Sequence, residues 1–194
     1  MRSYALILAV VMLFGACARE PTTTAELQRL GPDNVAIDGY SPVSYFERDK
    51  AEKGSPEFVV LHEGVTYWLT DAVQAEKFAA EPQRYAPAHG GWCSLMLTGS
   101  GNLVVANPRS FKIVDDRLLL FWSGDFQGQP IDGLRNWESK FGDAGEEREL
   151  LGRADRAWQE LLSGSKKEKV VFFNPRDAER VNDARRAVGE KTYE

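Results

Sequence analysis

Of the two histidines and two cysteines in this 194-residue chain, one of each falls within five residues, His89-Gly-Gly-Trp-Cys93. A thiolate and an imidazole four positions apart suit a soft cation, Cu(I) or Zn(II), and Met96 adds a thioether just beyond the cysteine. Structural zinc takes four protein ligands. This stretch together with His62, the other histidine, falls short of four, so the donor set points to an open Cu(I) site rather than a closed zinc site. The same pair is also the minimum for thiol catalysis, but nothing beside Cys93 supplies a third, orienting group. A reading without chemistry stands next to both. Gly90-Gly91 would be a turn that needs left-handed dihedrals, Cys93 would enter the core as a small apolar residue, and His89 would stay on the rim.

The amino terminus bears on which reading applies. Met1-Arg2 is followed by an unbroken apolar stretch, Ala5 to Phe14, too short to span a bilayer as a mature helix but suited to a secretory signal. Gly15-Ala16 before Cys17 resembles a bacterial lipobox, which implies lipidation of Cys17 and a polar tether over residues 17–34. Residues 1–16 are then a signal peptide. Ala18 in the second mature position favours the outer membrane in a Gram-negative host. With Cys17 acylated, Cys93 is the only thiol left in an oxidising compartment and has no internal disulfide partner. The formal net charge of -5 and the absence of a basic stripe exclude nucleic acid as a partner.

Several elements must position this stretch. Val35 begins a short strand that turns at Asp38-Gly39. Phe58 to Leu61 and Val65 to Leu69 form a hairpin around Glu63-Gly64. Thr70-Asp71 caps a short helix with Val73 and Phe78 facing inward. A second hairpin turns at Asp115-Asp116, a short helix covers Gly133 to Phe141, and an amphipathic helix from Glu146 to Leu162 buries Leu150, Leu151, Ala154, Ala157, Trp158, Leu161 and Leu162. After Ser163-Gly164-Ser165, the extension 163–194 reads as a strand near Val170 to Phe173 and a charged helix. The fold class expected is α+β, a small, mostly antiparallel sheet of hairpins with a short helix and a carboxy-terminal amphipathic helix.

Three stretches, "VAIDGYSPVSYF", "GSPEF…GVTYWLTDAVQAEKFAAEPQRYAP" and "HGGWC", together resemble the YHS-domain family in its exported bacterial branch, over residues 35–162. Short members of that family are associated with heavy metals through a cysteine pair. Aligned on Phe78, the equivalent positions here are Thr70 and Gln74, so that cysteine site does not carry over. The resemblance implies an exported, lipid-anchored, non-catalytic binding protein on the periplasmic face of the cell envelope. On that reading Cys93, His89 and Met96 would hold copper or another soft metal. The alternative is a metal-free interaction or small-ligand module, with an envelope protein as partner or with Tyr85, Trp92 and Tyr45 lining a pocket. A thiol-dependent enzyme is the third reading.

Overall fold

In the computed structural model of the chain, Leu27, residues 35–187, Gly189, Thr192 and Tyr193 are described. The expected signal peptide, the lipidated Cys17 and the rest of the tether lie outside these residues.

The fold is α+β. Helix α1 (Pro42–Arg48) opens with proline at its first turn, where the missing N–H costs nothing. Strands β1 (Ser55–His62) and β2 (Val65–Leu69) form the first hairpin, with His62 opposite Val65. Helix α2 (Ala72–Ala80) is capped by Asp71, whose side chain accepts from the Gln74 N–H. Next come α3 (Pro82–Tyr85), α4 (Ser94–Gly99) and the short β3 (Leu103–Val104). A second hairpin pairs β4 (Asn107–Val114) with β5 (Arg117–Phe121), and a third pairs β6 (Ser123–Phe126) with β7 (Gln129–Asp132). Helices α5 (Gly133–Glu138) and α6 (Ala144–Leu162) follow, then β8 (Val170–Val171) and α7 (Pro175–Ala187). Among the described residues no helix is long and apolar enough to cross a membrane.

Two apolar clusters hold the molecule together. The larger gathers Tyr45, Tyr67, Phe78, Phe121 and Trp137 beneath the first two hairpins. The smaller gathers Trp92, Leu97, Leu103 and Val105 against Trp158 and Leu161. Helix α6 spans both, its Leu150 and Leu151 in the first and its Ala154, Trp158 and Leu161 in the second. The 3.6-residue period of its apolar positions sets this.

Three local expectations need correction. Val35 does not begin a strand, because it makes only an isolated bridge to Thr66 before the 3-10 turn Ile37–Gly39, and Pro42 then starts α1. Val73 does not face inward; it is 61% exposed. Besides Phe78, the buried position on α2 is Gln74, whose amide is hydrogen-bonded by Ser41 and Ser44. Ser41 Oγ donates to Gln74 Oε1 at 2.5 Å, and Gln74 Nε2 donates to Ser44 Oγ at 3.0 Å. A hydrogen-bonded amide is a stable core residue, and periodicity does not distinguish it from a surface one. Leu27, placed in the tether, is buried in the second cluster, and its carbonyl accepts from Trp92 Nε1 at 2.5 Å.

The extension is docked. Strand β8 pairs in parallel with β3, Leu103 opposite Val170, and Val170 and Val181 are buried in the second cluster. Phe173 lies edge-on to Trp122 with ring centroids 4.8 Å apart. Truncation after Leu162 removes these contacts while sparing the buried members of the larger cluster. The truncated chain should still melt cooperatively in calorimetry, at a midpoint lowered by roughly 5–10 °C. Loss of the cooperative transition would place the extension within the indispensable core.

Candidate functional site

The His89–Cys93 element is a tight reversal of the backbone. Residues Ala88–Gly91 form a 3-10 turn in which His89, Gly90 and Gly91 all have positive φ, 54°, 62° and 81°. Glycine accepts this region freely; histidine does not. His89 is held there by hydrogen bonds at both ring nitrogens. Nδ1 lies 2.9 Å from Ser94 Oγ, and Nε2 lies 2.9 Å from Asp155 Oδ1. Arg117 from β5 clamps the same carboxylate in a fork, Nη1 to Oδ2 at 2.8 Å and Nη2 to Oδ1 at 2.7 Å. One chain of polar contacts therefore joins the turn, α4, α6 and β5.

Its electrostatics fix the proton positions. Partial burial alone would raise the Asp155 carboxyl. Hydrogen bonds from His89 and Arg117, with the Arg117 charge, outweigh that effect and hold it well below the usual carboxylate range. An ionised Asp155 accepts from His89 Nε2–H. Burial lowers the imidazole below its ordinary value against the opposing pull of Asp155, so Nδ1 carries no proton and accepts from the Ser94 hydroxyl.

Serine to histidine to aspartate is the connectivity of a nucleophile with its base and orienter. Access decides against that use. Ser94 is 0% exposed and His89 2%, so no substrate atom reaches Oγ. The chain of contacts is an internal strut.

His89 therefore does not sit on the rim. His89 instead lines, with Tyr67, Arg84, Arg117 and Trp158, a cavity of about 410 Å³. His62 lines that cavity too, its Nε2 3.8 Å from Glu63. Cys93 is 1% exposed and belongs to the larger apolar cluster; burial pushes its thiol up, towards the neutral form. It borders a separate apolar cavity of about 210 Å³ with Met96, Trp122 and Phe173. Cysteine and methionine are thus brought together, and the histidine is not. A soft-metal centre would need the thiolate that burial disfavours and an imidazole nitrogen that is already engaged, so the donors do not fit one ion. Among the described residues no group of three or more histidine, cysteine or acidic side chains could hold a metal.

The three aromatics expected at a pocket are all core. Tyr45 donates through its hydroxyl to the Pro108 carbonyl at 2.9 Å, Tyr85 meets Phe46 edge-on, and Trp92 is the partner of Leu27. None lines the cavities above.

A larger cavity, about 510 Å³, lies elsewhere, between Tyr40, the start of β4, Trp122 and α7. Tyr40 bridges Lys53 across an antiparallel contact, which sets the Lys53 ammonium 4.3 Å from the Tyr40 ring centroid. Arg109 Nε donates to the Tyr40 hydroxyl at 3.1 Å. The β4–β5 register slips between Asn107 and Phe111, and Arg109 sits in that irregular stretch. On the opposite wall Arg180 of α7 pairs with Asp38 and, at 3.1 Å, with Asp177.

Sequence reasoning did not find Ser94, Asp155, Arg117, Lys53 or Arg109. Asp155 carried one signal, a carboxylate beside the buried Ala154 on an apolar helix face. The others carried none, since Arg109 and Tyr40 are 69 positions apart. Comparison with known proteins finds no matching family model, no matching curated protein and no matching solved structure.

Proposed function

We propose that this chain is a non-catalytic, metal-free, small-molecule-binding domain of the bacterial cell envelope, lipid-anchored through Cys17 and akin to exported YHS domains. The observation that carries the reading is the division of labour among the polar groups. His89, Ser94 and Asp155 are consumed in an internal strut, whereas the 510 Å³ cavity is open and lined by charged side chains. Clefts of this size with a few convergent polar groups are where small ligands bind. Tyr40, from the Gly-Tyr-x-Pro stretch behind the family resemblance, lines it.

The test is a fragment screen followed by amide and indole N–H chemical shifts. Hits should move Trp122 and the backbone around Tyr40 and Asn107. Hits that move only the surroundings of Cys93 and Met96 would place the binding site elsewhere. The anchor is checked separately: Cys17→Ser should shift the protein from the membrane fraction to the soluble periplasm, and unchanged fractionation would remove the lipid anchor from the account.

A further inference from the structure

Resting on the small-molecule reading above, we propose that the 510 Å³ cavity binds a small organic anion, a carboxylate or phosphomonoester, with Arg109 and Lys53 as its charge-recognising residues.

The charge balance carries the assignment. The cavity is lined by three cations, Lys53, Arg109 and Arg180, and two carboxylates, Asp38 and Asp177. Both carboxylates are engaged by Arg180. Arg109 and Lys53 have no carboxylate partner among the described residues. Arg109 spends only Nε, on the Tyr40 hydroxyl, which leaves both Nη groups available as a planar fork. That fork matches the two oxygens of a carboxylate or phosphate. Lys53 donates to the Asp38 carbonyl and lies over the Tyr40 ring, so it presents a compact positive charge beside the same tyrosine.

Both cations are held in place. The Tyr40–Lys53 bridge and the Gly54 N–H to Gly39 carbonyl bond of 2.8 Å fix the lysine's backbone. The Asn107 side chain accepts from the Arg109 backbone N–H at 3.0 Å and donates to Ser123 Oγ at 2.9 Å. Preorganisation of this kind lowers the ordering cost of binding. With the oxyanion between Arg109 and Lys53, the rest of the cavity leaves room for an organic body beside Trp122. An acidic ligand approaching a chain of net charge -5 is drawn to a local exception in the surface charge, and binding should weaken as salt screens it.

The probes are benzoate, phenyl phosphate and the uncharged benzyl alcohol, titrated calorimetrically at low and high salt into the full chain. Benzoate and phenyl phosphate distinguish the two oxyanion sources. At least one of them should bind saturably and move the Trp122 indole resonance. Arg109→Gln and Lys53→Gln should each weaken that binding by about tenfold or more, while Cys93→Ser leaves it unchanged. Both cations are exposed, so their variants keep the fold, which a melting curve verifies. If benzyl alcohol binds as well as the anions, or the two cation variants bind as wild type does, the anion assignment is overturned and the small-molecule reading stands. If none of the three binds, the anion assignment also fails, and the fragment screen alone decides whether the cavity binds anything.

Discussion

Replacing His89 with alanine should lower the stability of the folded chain by about 2–4 kcal/mol. The substitution empties a site that is 2% exposed, leaves the buried Ser94 hydroxyl without its acceptor, and strips one hydrogen bond from Asp155. It also leaves alanine at φ 54°, a region that non-glycine residues occupy only when their surroundings compel it. Denaturant unfolding of the two proteins gives the difference directly. The pH dependence separates this role from simple packing. Burial depresses the imidazole's affinity for a proton from its ordinary value of 6.5, so below that pH the unfolded chain takes up a proton that the folded chain refuses. Stability is therefore complete above about pH 6.5 and declines as pH falls through it. Asp155, whose carboxyl is also depressed, adds a second decline below about pH 4. The alanine variant should lose the first decline. If its stability falls between pH 6.5 and 5 as steeply as the wild type's, His89 is not the group responsible.

Gly39→Ala should be nearly as damaging, at about 2–3 kcal/mol, and it should reach the cavity. Gly39 has φ +73°, and a Cβ there would stand 2.7 Å from Trp68 Cε3. The ring belongs to β2, so relief requires the turn to move away from the hairpin. That movement carries Tyr40 and, through the bridge, Lys53. A lower denaturation midpoint together with weakened anion binding is the expected result. Weakened stability with unaltered binding would uncouple the turn from the cavity.

These two sites show what could be read from the chain and what could not. The hairpins turning at Glu63-Gly64 and Asp115-Asp116, the Asp71 cap and the apolar face of α6 depend on neighbours within a few residues, and local pattern revealed them. The glycine turn after His89 was legible for the same reason. The imidazole's fate was not. It depends on Asp155, 66 positions away on α6, and on Arg117 from a different hairpin. Spacing suggested that His89 and Cys93 converge; the reversal of three left-handed residues sends them to different cavities. The binding cavity was hidden for a further reason. One wall is α7, in an extension outside the family resemblance.

On the proposed metal-free reading, His89-Gly-Gly-Trp-Cys93 organises the fold through the Ser94 and Asp155 contacts of its histidine and the burial of its cysteine. The most direct test of that reading is an anaerobic Cu(I) titration of the reduced, delipidated chain against a chelator competitor, repeated on Cys93→Ser and His89→Ala. All three proteins are expected to compete equally weakly. Stoichiometric Cu(I) binding by the wild type that disappears in both variants would contradict the metal-free reading.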